Sequence, residues 1–119
     1  MGNFIHVVLS CLPLSIESIF WDGDSLLLSS GGWYFRTESA WRVSREGEMQ
    51  FACWDEDAGD LINGLAGLSV VGVDWVIGGQ PIDPSMKLSD GRKLDVFCST
   101  SIEPWVMSLP DGSIYVGNS

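Results

Sequence analysis

Short apolar runs alternate with turn residues along the whole chain. The run Trp41-Arg42-Val43-Ser44 alternates apolar with polar residues, which is typical of a strand with one face in water. Asp22-Gly23 lies between two further runs and predicts a β-hairpin. The other strand-like runs are 16–20, 25–28, 33–36, 49–54, 68–77, 86–88, 93–97, 105–109 and 114–116. Many short strands with closely spaced turns predict a mainly β fold (β-rich α+β) with antiparallel sheets.

One segment, 55–65, departs from this pattern and predicts a helix. Asp55 or Asp57 can cap its start, where acids suit the positive end of the helix dipole. Its apolar face would consist of Leu61, Ile62 and Leu65. The apolar run 4–9 lacks the basic start and cleavage site of a signal peptide and is too short to span a membrane. We expect that run to form the first strand or the approach to it.

The strand-like runs occur twice in the same order. The matching segments are Pro13-Leu14-Ser15-Ile16 with Gly67-Leu68-Ser69-Val70, Leu28-Ser29-Ser30-Gly31 with Leu88-Ser89-Asp90-Gly91, and Trp41-Arg42-Val43-Ser44 with Trp105-Val106-Met107-Ser108. This predicts two tandem repeats, about 12–54 and 66–117, of roughly four antiparallel strands each, with one short helix at the joint. We expect one pseudo-twofold domain over 1–119, closed as a sandwich, a pair of sheets or a flattened barrel.

The net charge of the chain restricts the classes of partner that it can bind. Six basic residues against sixteen acidic ones give a net charge of −10. A protein this acidic is repelled by nucleic acid and by anionic membranes, so we expect it to bind neither directly. The balance favours a basic protein partner or calcium-type cations, or it serves solubility alone. Three widely spaced cysteines, Cys11, Cys53 and Cys98, do not form a zinc or disulfide pattern, which fits a reducing compartment. Cys53 and Cys98 follow strand-like runs and are expected to be small buried residues.

The sequence contains no recognisable catalytic motif. His6 is the only histidine, and it lies in an apolar run without a nucleophile motif such as GxSxG elsewhere in the chain. An EF-hand loop starting at Asp55 would need glycine and glutamate where Asp60 and Ala66 stand. We therefore expect no enzyme activity, no metal and no cofactor. A hydrolase that uses a pair of carboxylates remains the third and least favoured alternative.

The acidic residues are concentrated in the middle of the chain. No basic residue occurs between Arg45 and Lys87. These acids could form an ordinary solvated face, or they could form an electrostatic docking surface with an aromatic residue at its centre. The predicted partner-binding residues are Trp54, Asp55, Glu56, Asp57, Asp60, Glu46 and Glu48.

A family resemblance adds to this hypothesis. The second half carries Gly67-Leu68-x-Val70, Ser89-Asp90-Gly91, Leu94-x-Val96-Phe97, Trp105, Leu109-Pro110-Asp111-Gly112 and Val116-Gly117. This pattern, with its counterpart in the first half, resembles small acidic bacterial proteins that are similar to immunity proteins of polymorphic toxin systems, the contact-dependent inhibition type included. The resemblance implies a cytoplasmic protein that neutralises a cognate toxin with a basic nuclease-type domain. The two repeats already give internal symmetry, so we expect a monomer or weak homodimer. A small ligand-binding or scaffold domain is the alternative.

Overall fold

A computed structural model of the chain describes residues 4–98 and 104–117. These residues form two helices and eleven strands. The elements are α1 Phe4–Cys11, β1 Leu14–Ser15, β2 Ser18–Trp21, β3 Leu26–Ser29, β4 Tyr34–Thr37, β5 Ala40–Arg45, β6 Glu48–Ala52, α2 Ala58–Asn63, β7 Ser69–Trp75, β8 Pro84–Leu88, β9 Arg92–Phe97, β10 Trp105–Ser108 and β11 Ile114–Val116. The prediction of a mainly β fold is confirmed, and most of the strand-like runs are strands.

The strands form two antiparallel sheets. One has the order β1-β7-β8-β9-β5-β6, and the other has the order β11-β10-β4-β3-β2. Each half of the chain supplies a three-stranded meander to one sheet and a hairpin to the other. The second hairpin, β10–β11, joins the first meander at β4, and the first hairpin, β5–β6, joins the second meander at β9. This connectivity is compatible with the predicted repeats, although the halves have six and five strands instead of about four. The twofold relation itself stays a prediction.

The two sheets share one hydrophobic core. Along β5 the side chains alternate, with Trp41 and Val43 fully buried and Arg42 partly exposed between them. Leu28 and Phe35 of the five-stranded sheet belong to the same buried cluster. The buried apolar side chains of the two sheets therefore pack into one core, which removes them from water, while polar side chains such as Arg42 remain accessible.

Each half contributes a cluster of aromatic rings to the core. Trp21 packs edge-on against Trp41 at 5.2 Å between ring centroids, and Trp41 packs edge-on against Phe51 at 6.1 Å. In the second half, three rings surround the ring of Phe4, at 5.5 Å from Trp75, 4.8 Å from Trp105 and 5.3 Å from Tyr115. Trp41 and Trp105, which the sequence pattern pairs, are both fully buried.

The prediction that the apolar run 4–9 forms the first strand was wrong, because this run is part of helix α1. Phe4 and Val8 are buried and lie one helical turn apart, whereas His6 and Leu9 are exposed. The helix packs against β7, and Phe4 enters the aromatic cluster beside it. Eight residues are too few for periodicity to separate a helix from a strand, so this tertiary contact decides the conformation.

The second helix, α2, is shorter than predicted. The segment before it is a turn, in which the Asp55 Oδ2 accepts a hydrogen bond of 2.8 Å from the Ala52 backbone N–H. Asp57 stands directly before the helix but makes no capping hydrogen bond with its side chain. Ala58 and Ile62 form the buried face of α2, which packs against β2 and β6. The helix therefore lies at the end of the core where the aromatic cluster of the first half is found.

Candidate protein-binding surface

The fold brings acidic residues from three separate segments to one end of the molecule. Trp21, Leu26 and Thr37 lie side by side across β2, β3 and β4. The β2–β3 turn after Trp21 and the link after Thr37 are therefore at the same end of the sheet. A Cβ atom built on Gly59 would lie 3.8 Å from the Trp21 ring, which places α2 at that end as well. We call this surface the acidic end; its residues are Asp22, Asp24, Glu38, Trp54, Glu56, Asp57, Asp60 and Leu61.

Trp54 is the most exposed large apolar side chain among the described residues, at 67%. The other tryptophans differ clearly from it, since Trp33, Trp41 and Trp105 are buried and Trp21 and Trp75 are half-buried. Leu61 on α2 adds a further exposed apolar side chain at 38%. Exposing an indole ring to water is unfavourable, so a ring in this position gains free energy when a partner covers it.

The acids around Trp54 are free to act on a partner. Glu56, Asp57 and Asp60 are exposed, and none of the ion pairs among residues 4–98 and 104–117 involves them. Their field is therefore not neutralised locally and extends over roughly 8–10 Å at physiological ionic strength. Such a field raises the association rate of a basic protein and orients it.

Asp22 contributes a charge that its own turn keeps in place. Its Oδ1 accepts hydrogen bonds from the backbone N–H groups of Ser25, at 2.7 Å, and Asp24, at 2.8 Å. These bonds hold the pKa of the Asp22 carboxyl below its ordinary value, because they stabilise the ionised form. The turn chemistry that explains Asp22 in the sequence also fixes one charge of the acidic end.

The seven predicted partner-binding residues divide into two groups. Trp54, Glu56, Asp57 and Asp60 lie at the acidic end, together with Asp55, which is half-buried and bound to Ala52. Glu46 and Glu48 lie at the opposite end of β6, at the tip of the β5–β6 hairpin. The four residue steps of β6 separate the two groups by about 13 Å. Asp22, Asp24 and Glu38 join the first group only through the fold, and the sequence offered no signal for that beyond their turn positions.

The outward polar side of the six-stranded sheet carries a second group of charged residues. Arg42 and Asp95 lie opposite each other on β5 and β9, and Asp95 lies opposite Ser85 on β8. The Asp95 carboxylate is 3.1 Å from the Arg42 Nε and accepts a bond of 2.6 Å from the Ser85 hydroxyl. The signal for this group was the alternation along β5, which placed Arg42 on the outward face without naming its partners.

The remaining chemistry of the described residues is sparse. No group of three or more potential metal ligands is present in the described part of the chain. Burial and the neighbouring Asp83 carboxylate raise the pKa of the Cys98 thiol to about 12, and that thiol donates a hydrogen bond of 3.0 Å to the carbonyl of Ile82. A thiol that stays protonated is a poor nucleophile. All three cysteines are half-buried and pack against the hydrophobic core.

The comparisons with known proteins yield no match for this chain, whether with family models, with curated proteins or with solved structures. Among the described residues, neither helix is long and apolar enough to cross a membrane. The interpretation of the acidic end therefore rests on its geometry and charge.

Proposed function

We propose that this protein is a non-enzymatic acidic binding protein, an immunity protein that binds and neutralises a cognate bacterial toxin in the cytoplasm. The observation that carries the proposal is Trp54, an exposed indole ring at one end of the β fold, beside acids that form no ion pair among the described residues. Protein interfaces obtain most of their binding free energy from a few such aromatic residues, surrounded by polar groups that set specificity.

The charge of the surface indicates the chemistry of the partner. The acidic end carries Asp22, Asp24, Glu38, Glu56, Asp57 and Asp60. A toxin domain that acts on nucleic acid needs a basic surface to hold phosphates, and that surface is complementary to the acidic end. By covering the basic surface, the protein blocks access of the nucleic acid without any chemistry of its own.

Growth protection tests this proposal directly. The tagged protein is used to capture partners from the bacterium that makes it, at low and at moderate salt, and each captured basic protein is then expressed in a test strain. We expect one partner to arrest growth, and we expect co-expression of the wild-type protein to restore it. A captured partner that leaves growth unaffected, or whose toxicity the protein does not relieve, contradicts the proposal.

The contact surface is tested with charge-reversal variants of the two acidic groups. Changing Glu56, Asp57 and Asp60 together to lysine should slow association about tenfold or more and remove most of its salt dependence. Asp55 is left intact because its carboxylate holds the turn after β6. The matched control changes Glu46 and Glu48 to lysine at the far end of β6, where we expect less than about a threefold effect. Equal effects of the two sets would place the interface elsewhere.

Trp54→Ala supplies the apolar half of the test. Removal of the ring should weaken binding by about 2 kcal/mol or more, mainly through faster dissociation. It should leave the folded state intact, since the ring is largely outside the core. If binding is unchanged by Trp54→Ala while the charge variants weaken it, then the acids steer the partner and the contact lies beside them.

A further inference from the structure

We propose that the outward face of the six-stranded sheet holds a binding site for the phosphoryl group of a small molecule. Two adjoining depressions of about 250 and 220 Å³ lie on this face and share Asp74, Ser85 and Lys93 in their lining. Arg42 lines the first and Lys87 the second. We call the two depressions together the cationic trough. It is a different surface from the acidic end, and the proposal does not depend on the proposed function.

Arg42 is held as a receptor for an oxyanion. Its Nε donates to Asp95 at 3.1 Å, and its guanidinium lies over the Phe97 ring at 4.9 Å from the centroid. Asp95 is itself only 5% exposed and is fixed by the Ser85 hydroxyl. No partner within the described residues occupies the two terminal amino groups of Arg42. A planar guanidinium fixed at one edge and on one face presents its remaining donors to an oxyanion with little loss of entropy.

Two lysines complete the positive charge of the trough. Lys87 and Lys93 lie directly opposite each other on β8 and β9, on the same face as Arg42. Both are exposed, and neither takes part in an ion pair among the described residues. Like charges directly across two strands are unfavourable for folding, so an anion between them relieves a repulsion that the empty site retains.

The arrangement of the donors favours a phosphoryl group over a carboxylate. Asp95 and the exposed Asp74 offset two of the three cations of the trough, so that one net positive charge remains. A single carboxylate is held by the donor fork of Arg42 alone, whereas a phosphate monoester has three acceptor oxygens and can contact the two lysines as well. The net charge of −10 repels a polyanion such as nucleic acid, so the ligand is a small molecule.

Gly72 keeps one wall of the trough open. Gly72 is on β7 and pairs with Lys87 on β8. A Cβ atom at Gly72 would lie 3.4 Å from the Lys87 Cβ. A larger side chain at this position would fill the depression beside Lys87 while leaving every charge in place. Gly72→Leu is therefore a blocking variant that does not alter the charge.

The test uses inorganic phosphate and pyrophosphate as probes, titrated at constant ionic strength and followed by the backbone amide signals of the protein. We expect saturable shifts of the amide signals at Arg42, Lys87 and Lys93. Succinate, a dicarboxylate of similar net charge to phosphate, should bind at least about fivefold more weakly than phosphate. Lys87→Gln with Lys93→Gln should weaken phosphate binding about tenfold or more. Arg42→Lys keeps the charge but removes the fork of donors, and should also weaken it.

Controls separate this site from general charge effects. Arg36→Gln removes an exposed cation from the other sheet and should leave phosphate binding unchanged. The double lysine variant should be at least as stable as the wild type, so its loss of binding is not a loss of folding. The proposal is overturned if phosphate produces no saturable shift, if the double variant binds like the wild type, or if succinate binds equally well. Tighter binding of single-stranded DNA at the same residues would overturn the small-molecule assignment.

Discussion

The two helices close the two ends of the core in different ways. Helix α1 inserts Phe4 among three aromatic rings of the second half, so that this side chain is 1% exposed. Helix α2 covers the aromatic cluster of the first half with the small residues Ala58 and Gly59, and the turn before it leaves Trp54 in water. The aromatic cluster of the second half is thus covered by the aromatic side chain of Phe4, and that of the first half is covered by the short helix α2. The first cap therefore buries an aromatic ring, and the second leaves one exposed.

The largest expected effect concerns the two buried tryptophans that the sequence pattern pairs. Trp41→Ala and Trp105→Ala should each lower the free energy of unfolding by about 3–5 kcal/mol, because each removes a fully buried ring and leaves a cavity. Urea unfolding checks both values. If either variant fails to fold, Trp41→Phe and Trp105→Phe allow the same comparison. These substitutions keep an aromatic ring and should therefore lower the free energy of unfolding less. A difference of more than about 2 kcal/mol between the two positions would contradict their equivalence.

The next effect distinguishes the two caps. Phe4→Ala should cost about 3 kcal/mol, since the ring contacts Trp75, Trp105 and Tyr115. Ala58→Gly in α2 should cost about 1 kcal/mol, because it removes one buried methyl group and a good helix former. Both values come from urea unfolding of the purified variants. If Phe4→Ala costs no more than Ala58→Gly, then α1 is not a structural cap.

The difference between the caps also shows which features the sequence could predict. Turn residues such as Asp22-Gly23 and the alternation along β5 act locally, so the strands they bound could be located without a structure. Helix α1 could not, because its conformation depends on the ring cluster that receives Phe4. The assembly of the acidic end depends on the pairing of β2, β3 and β4, which joins Asp22 and Glu38 to α2. Long-range pairing leaves no mark in a single segment, and for that reason only the contiguous part of the surface was predicted.

The third effect concerns Trp54. We expect Trp54→Phe to remove the tryptophan that acrylamide quenches most readily and to shift the remaining emission to shorter wavelength, since the other rings are buried or half-buried. The free energy of unfolding should change by less than about 0.5 kcal/mol, as is usual for exposed positions. Trp33→Phe is the matched control, because Trp33 is 4% exposed and donates a hydrogen bond of 2.8 Å to the Ser15 carbonyl. Retention of the quenchable component in Trp54→Phe would mean that Trp54 is covered.

The smallest expected effect compares two turn aspartates by their pH dependence. Burial acts to raise the pKa of Asp90, but hydrogen bonds from Arg92 and the charges of Arg92 and Arg45 outweigh it and hold the pKa below its ordinary value of 3.8. The pKa of Asp22 is lowered by backbone N–H groups alone, without a cation. A carboxyl with a lowered folded pKa adds stability that is complete above the unfolded value and is lost as the pH falls through the folded pKa. Both contributions should therefore be complete above about pH 4 and decline progressively as the pH falls below it.

The stability contributions of these two aspartates should differ in their dependence on salt. The Asp90 contribution, less than about 1 kcal/mol in total, depends partly on ion pairs of 2.7 Å to Arg92 and 3.6 Å to Arg45, which salt screens. The Asp22 bonds to Ser25 and Asp24 are short and local, so salt should affect them less. Unfolding of Asp90→Asn and Asp22→Asn between pH 3 and pH 7, at low and high salt, measures both terms. If salt reduces the effect of the two substitutions equally, then the turn at Asp22 is stabilised by charge rather than by its backbone hydrogen bonds. Reversing the charge of the neighbouring acids would in that case lower the stability of the fold as well as the binding of the partner.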